Sequence, residues 1–236
     1  MNKKALIIVS IILFVLALTY FTWQISKSPN FQFFGGLIAR VNTDEKVVAL
    51  TFDDAPTVTT DNVLKILDDY GIKATFYMIG KGIEEHEDIA KNIVYKGHAL
   101  GNHSYSHQRF IFVSPKFVET EIEKTNTLIL GVGFREEITF RPPYGKKLFV
   151  LPWYLSQNNT KTITWDVQPD AYYPNDSKAM IKYTIDNVKP GSIIIMHTLC
   201  GEECNAARDA LPEIITGLTA KGYTFVTVNK LLSYSK

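Results

Sequence analysis

The sequence predicts an α/β fold, parallel strands closed or nearly closed into a (β/α) barrel, behind one N-terminal transmembrane helix. Three observations carry that prediction. From Lys46 onward, about seven apolar, β-branched runs alternate with segments of helical periodicity, as parallel strands joined by helices do. An apolar stretch, Ala5 to Trp23, stands in front of them. Of 236 residues 46% are hydrophobic, enough for one substantial core. A doubly wound open sheet is the alternative arrangement.

The N-terminal stretch comes first. Lys3 and Lys4 precede Ala5 to Trp23, which is broken only by Ser10, Thr19 and Thr22, and the next charge is Lys27. A helix crosses a bilayer with roughly 20 apolar residues, so this run is long enough. A cleaved signal peptide would have a shorter apolar region and a small-x-small site after it, which Tyr20-Phe21-Thr22-Trp23 does not offer. Residues 5–23 are therefore expected to stay as a signal-anchor, with residues 1–4 cytoplasmic and the rest outside the membrane. Residues 24–45, with Pro29 and Gly35-Gly36, are expected to form a stalk, part of which packs down through Phe31, Phe33 and Phe34. The formal net charge is +1, and −1 without Lys3 and Lys4, with no basic patch of the kind that binds nucleic acid. Cys200 and Cys204 stand four apart in a domain expected to be exported, as free thiols or one local disulfide.

Val47 to Leu50 continues through Thr51-Phe52 as a buried strand and ends in Asp53-Asp54, with Pro56 marking the exit from the sheet. Asp61 to Tyr70 is a helix stopped by Gly71, Ala74 to Ile79 a strand, and Glu87 to Tyr95 a helix stopped by Gly97. A short strand, His98 to Leu100, leads into a polar loop. Ser114-Pro115 opens the next helix as N-cap and first-turn proline, burying Phe117, Val118, Ile122, Thr125, Leu128 and Ile129. Strands follow at Ile138 to Phe140 and Thr162 to Trp165, with a helix over Leu148 to Ser156 between them. Ser177 is expected to cap a helix running to about Val188, ahead of the most apolar strand, Ser192 to Met196. Ala206 to Ala220 is the last long helix and Tyr223 to Val228 the last strand.

The polar residues that could do chemistry fall at the C-terminal ends of these strands, where barrels of this kind place their active sites. Asp53 and Asp54 follow the first strand, His103 and His107 the third, Arg141 the fourth, Asp166 and Asp170 the fifth, and His197 the sixth. Two adjacent carboxylates repel, so a metal ion or a guanidinium must make them tolerable. His103 and His107 lie on one face if their segment is helical, and with Asp54 they form a two-histidine, one-carboxylate set open to water and substrate. Such donors suit zinc, and cobalt or nickel fits them too. Taken alone, His197 reads as a core histidine bonded to a carbonyl.

Five ordered stretches together resemble the polysaccharide deacetylases, the NodB-homology domain of carbohydrate esterase family 4. They are Thr51-Phe52-Asp53-Asp54-Ala55-Pro56, His103-Ser104-Tyr105-Ser106-His107, Arg141-Pro142-Pro143-Tyr144-Gly145, Trp165 to Asp170, and Ile195-Met196-His197. The resemblance covers roughly Lys46 to Leu232 and implies a distorted (β/α)7 barrel within a deacetylase domain at 46–236. It implies one divalent metal on Asp54, His103 and His107, zinc first, with Asp53 as catalytic base and Arg141 holding that base ionised. It gives the Tyr144 position as oxyanion donor, Trp165 as part of the substrate groove, and His197 as general acid. Asp170 is chosen over Asp166 as the carboxylate that orients His197. Ala55 stands where the family usually has glycine, and the fourth motif departs from the usual D-x-x-D-W.

The implied activity is removal of acetyl groups from N-acetylated sugars of an extracellular polymer, with peptidoglycan ahead of chitin-like substrates and the membrane as second partner. The alternatives are a catalytically silent wall-polysaccharide-binding protein of the same fold and an esterase acting on O-acetyl groups of xylan. A phosphatase would want a basic cluster facing the site, and none is present in the sequence.

Overall fold

A computed structural model describes residues 3–236; Met1 and Asn2, half of the expected cytoplasmic segment, lie outside the described residues. Helix α1 (Lys3–Ser26) exposes its apolar side chains on all sides and is long and apolar enough to cross a membrane by length and composition. In chain order follow β1 (Leu37–Ile38), β2 (Val47–Ala55), α2 (Thr60–Asp69), β3 (Thr75–Met78), α3 (Gly80–Glu85), α4 (Glu87–Tyr95), β4 (Ala99–Asn102) and α5 (Pro115–Gly131). Then come α6 (Val150–Gln157), β5 (Thr162–Ile163), α7 (Pro169–Tyr172), α8 (Ser177–Asn187), β6 (Ile193–Met196), α9 (Asn205–Ala220), β7 (Thr224–Val226) and α10 (Val228–Leu232).

The ladder is parallel throughout, in the order β4-β3-β2-β6, and β7 pairs with the first residues of β2 before β3 takes that edge. β2 is thus flanked on both sides, which is why its sequence is an almost unbroken apolar run. Its alternation sorts the side chains. Val48, Leu50 and Phe52 pack outward with Val63 and Leu67 of α2 and Leu211 and Ile214 of α9. Val47 and Ala49 face inward, towards Tyr77, Ile163 and Ile193. Period two then sends Thr51 and Asp53 inward as well. Gly101 of β4 is needed because a Cβ there would stand 2.3 Å from the Tyr77 ring.

Between β4 and β6 the ring is carried by single residues rather than ladders. Phe140 bridges Asn102 on one side and Thr162 on the other, and Val167 bridges Ile194. The strand expected at Ile138 to Phe140 is reduced to that one bridging residue, because Pro142 and Pro143 follow at once and supply no ladder N–H. Helix α8 is capped by Asp176, whose carboxylate accepts from the Ala179 N–H at 2.9 Å, and Ser177 is its first helical residue. The last strand stops at Val226, where Thr227 caps α10.

Residues 23–38, most of the expected stalk, lie against the domain. The Trp23 ring sits 3.5 Å from the Lys146 ammonium, and the carbonyl of buried Ser26 accepts from the Lys147 N–H at 2.9 Å. Lys147, 2% exposed, donates its ammonium to the Ser28 carbonyl at 2.6 Å, and burial pushes that ammonium down to about 8. Thr164 donates to the Pro29 carbonyl at 2.7 Å, Phe33 stacks on Phe149 at 4.4 Å, and β1 pairs with β5. Cys200 and Cys204 are joined in a disulfide.

Candidate active site

Asp53 ends the inward face of β2 at 3% exposure and meets Arg141, which is fully buried. One guanidinium nitrogen of Arg141 donates to Asp53 Oδ1 at 2.6 Å and to Thr51 Oγ1 at 2.8 Å, and the other to the Thr164 carbonyl at 3.1 Å. The guanidinium also lies 4.0 Å from the centre of the Tyr77 ring. Three fixed acceptors and an aromatic face leave Arg141 no other orientation. Burial by itself raises the carboxyl of Asp53; the charge of Arg141, with His103 and His197, outweighs it and holds the group below its ordinary value.

Asp54 follows with φ of +65°, which swings its carboxylate out of the strand and over the histidines. That left-handed residue is Asp54 and not Ala55, so the Cβ where the family usually has glycine meets no left-handed strain. His103 and His107 are not on a helix, as their spacing allowed; their segment is a loop in which Ser104 and His107 both take positive φ. Glu121 shapes it. One of its carboxylate oxygens accepts from the backbone N–H of Tyr105 at 3.0 Å and of Ser106 at 2.8 Å, and the other from the Ser106 hydroxyl at 2.8 Å. Asn102 and the Ser104 hydroxyl tie down the rest, accepting from the N–H groups of Ser104 and His107.

The outcome is a tight donor set. One ligand atom each from Asp54, His103 and His107 lie within 4.8 Å of one another. His103 Nδ1 stands 2.7 Å from the Arg141 carbonyl, which can only accept, so in the neutral ring Nε2 carries the lone pair and faces the carboxylates. Burial and the neighbouring His103 lower His107 below its ordinary value and keep it neutral. Asp54 Oδ1 is buried with no hydrogen-bond partner, an orphan acceptor beside two aimed imidazoles. These residues fit a divalent cation.

His197, just past β6, is held by Asp170 at the start of α7, whose Oδ2 lies 2.9 Å from Nδ1 and also takes the His197 N–H at 2.6 Å. Burial opposes a charge on His197, but the bond to Asp170 and the negative field of Asp170, Asp53 and Asp54 push it up to about 9. Asp166 is engaged elsewhere, accepting from the Ser192 hydroxyl and the Ile193 N–H. The Tyr144 ring stacks on His107 at 4.6 Å, and its backbone takes a φ of +57° beside the stiff Pro142-Pro143 pair. Asp53, Asp54, His103, His107, Tyr144 and His197 open into one cavity of about 370 Å³, walled by Trp165 and Gln168.

Two members of this neighbourhood escape a sequence reading focused on strand ends. Gln168 lies between the motif aspartates and carries no signal of its own. Glu121 does carry one: it is a charged residue on the buried stripe of α5, beside Val118, Ile122 and Thr125, and is 5% exposed.

Residues 40–163 match the family described as Polysaccharide deacetylase. The chain is 32% identical over 190 residues to a peptidoglycan-N-acetylglucosamine deacetylase of Bacillus cereus, an alignment spanning 80% of this chain and 69% of that protein. Its structure is similar to that of the Bc1960 peptidoglycan N-acetylglucosamine deacetylase, with a TM-score of 0.78 and 30% identity over 84% of this chain and 93% of that one. It is also similar to a family 4 acetyl xylan esterase from Clostridium thermocellum solved with a cobalt ion, with a TM-score of 0.71 and 33% identity over 80% and 91% of the two chains.

Proposed function

The chain belongs to the polysaccharide deacetylase family, and from that premise we propose that it removes N-acetyl groups from the amino sugars of peptidoglycan outside the membrane. One observation supports this above the others. A single cavity holds a carboxylate kept ionised, Asp53, and an imidazole kept protonated at neutral pH, His197. Amide hydrolysis needs both, because water must lose a proton as it attacks and an amine anion is too poor a leaving group to depart without gaining one.

A divalent metal on Asp54, His103 and His107, zinc first with cobalt or nickel suited to the same donors, supplies Lewis acidity and lowers the pKa of a bound water from 15.7 to about 7. Asp53 takes the proton of the attacking water through Oδ2, since Oδ1 is committed to Arg141. Arg141 keeps that carboxylate charged and aimed. The Tyr144 N–H, carried on a strained and stiff loop, donates to the oxygen of the tetrahedral carbon, a class of contact worth about 10²–10³ in rate. His197 gives its Nε2 proton to the departing nitrogen while Asp170 fixes the ring through Nδ1. Trp165 walls the groove along which the sugar lies.

Helix α1 stays in the bilayer in this reading and holds the domain on the outer face, in keeping with the lysines in front of the span and the long apolar run. The test is acetate release from N-acetylated peptidoglycan by the full chain supplied with zinc or cobalt. Release at the same rate from the Asp53→Asn protein would remove Asp53 as the base, and no release from the parent on any acetylated polymer would return the chain to the silent binding class.

A further inference from the structure

Next to the catalytic cavity lies a second one, of about 180 Å³, and the two share the Trp165 and Gln168 side chains as a common wall. Its far side is built by Pro29 and Asn30 together with Tyr172 and Tyr183. Aromatic faces with a few amide groups are how a site holds the apolar faces and polar edges of a sugar ring. The unusual part is where the wall comes from: Pro29 and Asn30 belong to the strap that leaves α1, pinned by Lys147 to Ser28 and by Thr164 to Pro29.

That origin fixes a height. Ala5 to Trp23 in helical form measures about 28 Å, close to the roughly 30 Å of a bilayer's hydrocarbon, which puts the boundary at Trp23. Trp23 is also the residue type that settles at such a boundary. Three more helical residues and three extended ones reach Pro29, so the wall stands within about 15 Å of the hydrocarbon. Headgroups occupy roughly 5–8 Å of that. A free stalk over residues 24–45 would have reached on the order of 70 Å; because the strap is folded onto the domain, that reach is not available.

We propose that this second cavity is a sugar subsite set at the membrane surface, and that the substrate is an N-acetylated glycan still attached to a lipid carrier in the same bilayer rather than glycan of the assembled wall. The proposal rests on the deacetylase reading and on α1 remaining in the membrane. Tethered enzyme and tethered substrate then meet at high effective concentration, and the neighbouring sugar is gripped by the same strap that fixes the height.

The experiment uses the full chain, metal-loaded, in lipid vesicles, with a lipid-linked N-acetylated disaccharide in the same vesicles and a soluble N-acetylated tetrasaccharide as control. A variant with about 20 Gly/Ser residues inserted between Thr22 and Trp23 keeps the strap on the domain but frees it from the bilayer. Acetate release from the lipid-linked substrate is expected to fall about tenfold in the variant, with the tetrasaccharide rate unchanged. Equal rates on the lipid-linked substrate for variant and parent overturn the proposal. If the insertion also damages the tetrasaccharide rate, the unaltered chain decides: it should act about tenfold faster on lipid-linked substrate in its own vesicles than in separate ones, and a ratio near one overturns the proposal. Faster release from isolated wall fragments than from the lipid-linked substrate overturns it too. No acetate from any substrate removes the deacetylase reading itself, and this proposal with it.

Discussion

One oxygen of Asp170 holds His197 twice, by its backbone N–H at 2.6 Å and by Nδ1 at 2.9 Å. The carboxylate therefore fixes both the place of the residue and the charge of its ring. Asp170→Asn should keep the backbone bond and lose the charge. With His197 as the acid, kcat/KM on an amide substrate falls as pH rises through about 9 in the parent protein. In the variant that alkaline limb should move down towards the ordinary imidazole value of about 6.5. A raised histidine pKa also stabilises the fold fully below about 6.5 and loses that contribution as pH climbs through the folded value, so the variant's thermal stability should depend less on pH in that window. A limb that stays in place would reject the assignment.

Asp53 and Asp54 are neighbours with separate proposed tasks. Asp53→Asn should bind zinc as the parent does, because the proposed donor set is Asp54, His103 and His107. Its kcat should drop about 10²–10⁴-fold, the usual worth of a positioned base. Isothermal titration with zinc beside acetate release reads both quantities. Loss of metal together with rate would mean that Asp53 is a ligand.

Metal should appear in stability as well as in rate. The Asp54 oxygen that lacks a hydrogen-bond partner, beside the two imidazoles, gains a ligand bond when an ion binds. Chelation should therefore lower the melting temperature, and zinc at 100 times its dissociation constant should restore about 2.7 kcal/mol. Differential scanning fluorimetry with zinc, cobalt and nickel gives the order among them. A melting temperature indifferent to all three would count against the site.

Glu121→Ala tests the loop that carries both histidines. It removes the acceptor of two backbone N–H groups and one hydroxyl, each costly to leave unpaired at about 1–3 kcal/mol. Metal affinity should fall about 10–100-fold, as it does when a supporting residue behind a ligand is lost. Far-UV circular dichroism should show the helices retained. Unchanged metal affinity would show that His103 and His107 hold their places without Glu121.

The carboxylate end of β2, the arginine before two prolines and the histidine after four large apolar residues were legible because each breaks a strong local pattern. What the sequence left open was set by distant partners. Whether His103 to His107 coils or loops depends on Glu121, fifteen residues on from Ser106. Phe140 pairs through only a single-residue bridge on each side, too little for any periodicity to announce. The choice between Asp176 and Ser177 as cap turns on one residue's backbone angles, which composition does not specify. Residues 24–38 looked like stalk from their glycines and serines, yet their anchor points, Lys147 and Thr164, lie over a hundred residues away.

The central strand β2 is the first long strand to be synthesised, but β6 on one edge and β7 at the start of the other pair with it only from residues 193–196 and 224–226. Contacts this far apart along a chain form late and slowly. Asp53 and Asp54 therefore sit on an incomplete strand until nearly the whole polypeptide is available. On the proposed anchoring, a chain threaded outward behind α1 reaches the far side as an open, export-competent coil. In the proposed reading its metal-binding centre then assembles outside the membrane, after translocation has ended.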